Sequence, residues 1–192
     1  MATANPHKAA EIVPLLREFE VVRRPSGLAE VDETEDTLEG NAQLKAEAVF
    51  AATGEAAVAD DTGLEVEAIG GAPGVYSARY AGPDATYADN VAKLLQALGG
   101  LRGPSARRAR FRTVAVAVLP GGGVVQAEGW VEGSIASSPR GTNGFGYDPV
   151  FVPDDGDGRT FAEMSAAEKA SCSHRARAFR ALAMALEPFR GR

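Results

Sequence analysis

The chain has one cysteine, Cys172, among 192 residues, which excludes an internal disulfide and gives no cysteine zinc cluster. A reducing cytosol suits that usage. Long apolar runs are missing as well. A membrane span needs ~20 such residues, and the longest run here, Val114 to Leu119, suits a buried strand. The opening residues, Met1-Ala-Thr-Ala-Asn-Pro-His-Lys8, lack the apolar centre of a secretory signal. A cytoplasmic protein with no membrane partner is therefore expected. Surplus positive charge is also absent: 20 Lys and Arg stand against 26 Asp and Glu, a net charge of −6. The chain as a whole does not advertise nucleic-acid binding. Arg102 to Arg112 is locally basic, but Gly103-Pro104-Ser105 punctuates it and stacking aromatics are nearly absent. A solvated loop is expected there. No internal repeat is present. What remains is an ordinary globular composition, 45% hydrophobic and 24% charged, sized for a single domain over residues 1–192.

The stretch with the most chemistry is Val58-Ala59-Asp60-Asp61-Thr62-Gly63. Ala56 to Ala59 read as a short buried strand, and Thr62-Gly63 as a turn. Strand side chains alternate faces, so neighbouring acids cannot both enter one core. A strand ending in paired carboxylates opens onto a cleft. There the acids suit a hard metal such as Mg²⁺, or a base that takes a proton from water. A solvated turn is the plainer alternative for these six residues alone.

Other segments supply cations and polar groups. Asn5 and Pro6 predict a helix start, with Ile12, Leu15, Leu16 and Phe19 at helical spacing and Pro14 kinking or shortening the helix. Val21-Val22 read as a strand. Thr3, Asn5, His7 and Lys8 crowd the helix mouth, where free N–H groups favour an anion. Glu30 to Glu39 is an acidic loop in which one acid could bind metal, though composition does not say which. From Leu38 to Ala52 a helix carries Leu38, Ala42, Val49 and Ala52 on one stripe. Asn41 and Lys45 fall inside that stripe, so Lys45 either snorkels out or meets an anion.

Leu64 to Ile69 alternates like a half-exposed strand, and Thr86 to Leu98 predicts a helix burying Val91, Leu94, Leu95 and Leu98. Ala109 to Leu119 and Val124 to Val131 predict a hairpin turned by Pro120 to Gly123. In Pro139 to Pro149, Phe145 and Tyr147 sit among glycines. Phe145 is either a platform for a flat base or a core plug. Asp154 to Gly158 lacks calcium-loop spacing and reads as a surface turn. Ser165 to Glu168 matches a capping box, and Lys169, His174 and Arg175 bring donors near it. His174 alone would more often be structural. Phe179, Leu182, Leu186 and Phe189 mark a terminal amphipathic helix.

Six stretches in order resemble one family across nearly the whole chain. They are Thr3-Ala-Asn-Pro-His-Lys8; Thr37 with Asn41-Ala-Gln-Leu-Lys45; Ala59-Asp-Asp-Thr-Gly63; Gly70-Gly-Ala-Pro-Gly-Val-Tyr-Ser-Ala-Arg-Tyr80; Gly141-Thr-Asn-Gly-Phe-Gly-Tyr-Asp-Pro149; and Ala162 to Arg175. The sequence resembles the non-canonical purine nucleoside triphosphate pyrophosphatases, the inosine triphosphatase-like family. That resemblance implies an α/β fold with an elongated mixed sheet, flanking helices and two lobes around a central cleft. It implies a homodimer that hydrolyses ITP, dITP or XTP to the monophosphate and pyrophosphate with Mg²⁺. It implies Asp61 as catalytic base and metal-linked acid, with Glu33 as the second metal-linked residue. It places Thr3, Ala4, Asn5, Pro6, His7, Lys8, Lys45 and Thr62 around the phosphates. Phe145, Gly146, Tyr147, Asp148, Lys169, His174 and Arg175 it places around the base.

Three positions depart from the family pattern. Gly40 stands where Glu is usual, Asn143 where Gly is usual, and the first strand before Thr3 is short. A start assigned too far downstream would account for the last. An aspartyl-phosphate phosphatase and a nucleotide-binding module without turnover are the rivals. The first wants Asp-x-Asp spacing, whereas these acids are adjacent.

Overall fold

The computed structural model describes residues 1–25 and 27–190. Helix α1 (Pro6–Ile12) opens the chain, with Asn5 capping it by accepting from the N–H groups of His7 at 2.9 Å and Lys8 at 3.3 Å. Pro14 lacks an N–H and crowds the preceding turn, so α1 stops at Ile12 and a 3₁₀ turn, Val13–Leu16, follows. The strand expected at Val21-Val22 is absent. That segment is irregular, and the Val22 carbonyl instead accepts from the Met1 amine at 2.9 Å. Helix α2 (Leu38–Thr53) is capped by Thr37 and ends at Gly54 in the left-handed conformation. Its buried stripe contains Leu38, Asn41, Ala42, Ala46 and Val49, while Ala52, expected inside, is exposed.

Strand β1 (Ala57–Val66) corrects the central expectation of the sequence reading. Thr62-Gly63 does not turn the chain; the strand continues through the two aspartates. Gly63 is buried between β-forming neighbours, and packing overrides the weak turn signal. The segment expected to be a separate strand is the second half of β1, with Leu64 and Val66 fully buried, and a 3₁₀ turn at Glu67–Ile69 ends it.

The remaining elements are β2 (Pro73–Gly74), α3 (Tyr87–Ala97), β3 (Arg108–Val118), β4 (Val124–Ile135), β5 (Phe151–Pro153), α4 (Ala166–Cys172) and α5 (His174–Leu186). The sheet runs β2-β1-β3-β4-β5, with β1–β2 and β4–β5 antiparallel and Ile135 opposite Phe151. The expected hairpin is β3–β4. The expected solvated arginine loop is only partly one. Arg107 is buried and donates to the carbonyls of Ile135, Leu98 and Ala136 at 2.7–3.0 Å, and β3 begins at the next residue.

The chain divides into two compact units. The first comprises residues 1–62, 113–129 and the chain from His174 onward. Its core packs Ile12, Leu16, Ala115, Ala117, Phe179, Leu182 and Leu186. The second comprises residues 63–112 and 130–173, with Leu64, Val66, Leu94, Leu98, Phe111, Phe151 and Phe161 at its centre. Ring centroids there lie 4.7 Å apart for Phe111–Phe151 and 5.1 Å for Phe151–Phe161, spacings that favour tilted aromatic packing.

Candidate active site

Continuity of β1 explains how both aspartates are buried. Successive strand side chains point to opposite faces, so Asp60 and Thr62 share one side and Asp61 takes the other. Asp60 meets Lys8 Nζ at 3.2 Å and Arg175 Nε at 3.2 Å. Arg175, 2% exposed, also donates through Nη1 to Glu11 at 2.5 Å and through Nη2 to Thr62 Oγ1 at 3.1 Å. Each of its guanidinium nitrogens is thus engaged. Thr62 Oγ1 further contacts Asp60 Oδ2 at 3.2 Å and Thr113 Oγ1 at 2.7 Å. A hydroxyl has one donor and two acceptor positions. These three partners fill them.

Asp61 has a different set of neighbours. Lys45 donates to Asp61 Oδ1 at 2.9 Å and to Glu33 Oε1 at 2.7 Å. Of the two fates open to Lys45, the structure selects the anion. Asn41, one turn earlier, is not a bare pocket wall. Its side chain accepts from Glu35 N–H at 3.0 Å and donates to Glu35 C=O at 3.1 Å, which pins the acidic loop that carries Glu33.

The Gly40 departure belongs to this clamp. A Cβ added at residue 40 would lie 2.7 Å from Glu35 Cβ and 2.8 Å from its Cγ. Glu35 cannot swing aside, because Asn41 holds its backbone at both groups. Exposed helix Gly→Ala changes usually stabilise by about 0.5–1 kcal/mol. Gly40→Ala is expected to reverse that sign, lowering the denaturation midpoint. A stabilised Gly40→Ala protein would show that the loop yields freely.

The electrostatics separate the two aspartates. Burial pushes the Asp60 carboxyl up, but Lys8, Arg175 and Lys45 outweigh burial and hold it well below the usual range. For Asp61 burial prevails, Glu33 reinforces it and Lys45 opposes it, leaving a pKa of about 6. Burial opposes the charge of Lys45, yet Asp61, Asp60 and Glu33 together raise its pKa. Lys8 is lowered, chiefly by desolvation. Asp60 Oδ1 and Asp61 Oδ2 are buried with no hydrogen-bond partner among the described residues.

The second unit holds the glycine loop. Asp148, 2% exposed, receives Lys169 Nζ at 2.5 Å and the Phe145 N–H at 2.9 Å. Phe145 is half-buried, so it is not a core plug. Lys169 Nζ lies 5.0 Å from the centre of its ring. Tyr147 is buried and its hydroxyl donates to the Ser77 carbonyl at 3.0 Å, which anchors the loop. Gly146 follows Phe145 in the left-handed region.

The sequence-predicted residues therefore fall into two groups. In the first unit Lys8, Thr62 and Arg175 gather on Asp60 at one side of β1, while Lys45 joins Glu33 to Asp61 at the other. Thr3 accepts from the Asn5 N–H at 3.1 Å and helps shape the α1 start; His7 is exposed. Buried His174 opens α5 beside Arg175. Phe145, Asp148 and Lys169 form the second group. Arg175, expected among the base-contacting residues, has the carboxylates of Asp60 and Glu11 as its partners. Sequence reading missed Glu11 and Thr113. Glu11 lies three residues after Lys8 on one helix face, a signal that was available. Thr113 is one hydroxyl in an apolar strand and gave none.

The family question is settled over almost the full length. Residues 1–185 match the Ham1 family. The chain belongs to the Ham1 family. Among Ham1 relatives, a dITP/XTP pyrophosphatase of Porphyromonas gingivalis is 50% identical over 182 residues, covering 91% of this chain and 90% of its own. A dITP/XTP pyrophosphatase of Bacillus licheniformis is 45% identical over 183 residues, covering 90% and 92%. The Staphylococcus aureus Ham1 protein superposes with a TM-score of 0.86 at 37% identity, over 98% of this chain and 97% of its own. The Ham1 relatives bear out the expected α/β class and the family resemblance that the six stretches carried.

Proposed function

We propose that this Ham1 protein is a nucleoside triphosphate pyrophosphatase that cleaves ITP, dITP or XTP to the monophosphate and pyrophosphate. The observation that carries the reading is Lys45 held between Glu33 and Asp61 beside the Lys8–Asp60–Arg175 cluster. Cation and carboxylate there sit within hydrogen-bonding reach on one strand, three helices and the acidic loop. The dITP/XTP pyrophosphatases above supply the substrate class.

The charge balance favours a divalent cation. Four carboxylates, Glu11, Glu33, Asp60 and Asp61, face three cations, Lys8, Lys45 and Arg175. A triphosphate brings about four further negative charges. The free lone pairs of buried Asp61 Oδ2 fit a hard metal. No group of three or more His, Cys, Asp or Glu is placed to cage one among the described residues. Mg²⁺ takes one or two carboxylates and completes its shell with water and substrate oxygens. Glu33 and Asp61 would hold it, and it would neutralise phosphate charge.

In the proposed reaction Lys8 and Lys45 orient the phosphates. Asp61, with its raised pKa, draws a proton from the water that attacks the α-phosphorus, and pyrophosphate leaves. Phe145 offers the base a flat face, and Lys169 is an obligate donor toward a 6-keto acceptor. Adenine presents a 6-amino donor instead, leaving donors unpaired at ~1–3 kcal/mol each. A homodimer working in the cytoplasm completes the reading. No described helix is long and apolar enough to cross a membrane.

The test is product analysis with ITP, XTP, GTP and ATP in the presence and absence of Mg²⁺. Pyrophosphate release from ITP or XTP, dependent on Mg²⁺ and much slower with ATP, is expected. ATP as the best substrate would overturn the specificity. Orthophosphate release would point to the aspartyl-phosphate alternative.

A further inference from the structure

Tyr87 has no role in the chemistry above, and its position is odd for a helix residue. It is the first residue of α3, after the Thr86 cap, and is 43% exposed. The first turn of a helix gains from acidic and small polar residues. Asp89 already completes the capping box with Thr86, so the helix start does not need the ring. That ring instead lies 5.9 Å from the Phe145 ring, tilted by 43°. This is the separation and inclination of an attractive aromatic pair.

The two residues that flank Phe145 give its ring nothing to pack on. Gly144 and Gly146, on either side, both have positive φ and carry no Cβ to pack on the ring. Residue 144 has no room for one, since a Cβ there would lie 2.0 Å from Asp148 Oδ2. The Asp148 carboxylate fixes the Phe145 backbone through its N–H, and that leaves the side-chain torsions undetermined. Lys169 over the ring and Tyr87 beside it both bear on its plane.

We propose that Tyr87 is a positioning residue for base recognition, holding the Phe145 ring in the orientation that a purine stacks on. The inference rests on the base-platform reading of Phe145 given above. Removing the Tyr87 ring frees the platform to rotate, so a base must order it on binding. The loss falls on the base and not on the phosphates.

The full-length protein carrying Tyr87→Ala, Tyr87→Phe, Phe145→Ala or both alanine changes is assayed with ITP and Mg²⁺. Inorganic tripolyphosphate serves as a competing probe without a base. Tyr87→Ala is expected to raise KM for ITP about 3–10-fold with kcat within about two-fold, the range of a lost aromatic pair. Tyr87→Phe keeps the ring and restores KM. Inhibition by tripolyphosphate stays unchanged, which a general loosening of the fold would not allow. The double variant matches Phe145→Ala alone, because Tyr87 acts only through that ring. A wild-type KM for Tyr87→Ala, with a raised KM for Phe145→Ala, would overturn the role of Tyr87 and spare the platform. Unchanged KM in Phe145→Ala would overturn the platform itself. A shifted tripolyphosphate inhibition constant in Tyr87→Ala would also overturn the proposal.

Discussion

Asp61→Asn is expected to lower the single-turnover rate of pyrophosphate release from ITP by about 10²–10⁴-fold, the range for loss of a general base. The change keeps the shape of the side chain and an acceptor for Lys45, whose Nζ lies 2.9 Å from Oδ1. Thermal melting should therefore shift by no more than ~2–4 °C, about 1 kcal/mol for a chain of this length. In the wild type the base must be ionised. Burial raises the carboxyl to about 6, so kcat/KM should climb as pH rises through that value and then level off. The linkage to stability has the opposite sense. The folded protein holds this proton more tightly than the unfolded chain, so Asp61 costs stability once pH passes from about 4 to above 6. A near-normal rate in Asp61→Asn would remove Asp61 from the reaction.

Arg175→Met tests the other side of β1. Arg175 is 2% exposed and holds Asp60, Glu11 and Thr62 together. Removing it strands a buried carboxylate with Lys8 as its remaining close cation. Breaking a buried pair from one side costs about 3–5 kcal/mol, measurable as a fall in the urea midpoint. Adding Asp60→Asn should recover part of that loss, because the uncompensated charge goes with it. The pH dependence follows from the depressed Asp60 carboxyl. Its stabilising contribution is present above the unfolded value of about 3.9 and is lost as pH falls below that toward the folded value. An Arg175→Met protein within about 0.5 kcal/mol of wild type would show that Asp60 is neutral or rehydrated.

The residues differ in how readable they were. Lys45 could be picked out because a cation stood at a core-facing helical position, and the structure gives it Glu33 and Asp61. The α1 start, the Pro14 break, the β3–β4 hairpin and the Ser165 capping box follow from local chemistry, and each formed near its expected place. Thr62-Gly63 misled because its turn signal is local, while the pull to extend β1 comes from packing distant in sequence. Arg107 misled for the same reason: its three carbonyl partners come from α3's end and the end of β4.

By itself, the sequence determined which segments are amphipathic, where helices start, that two acids adjoin, and which family the chain belongs to. Those properties depend on side-chain type and short spacing. Only the tertiary structure decided that Asp60 and Asp61 face different partners, that Glu11 and Thr113 join the cluster, and that Tyr87 meets Phe145. Burial and charge neighbours set each ionisation, and both come from residues tens to more than a hundred positions apart. No window along the chain contains that information.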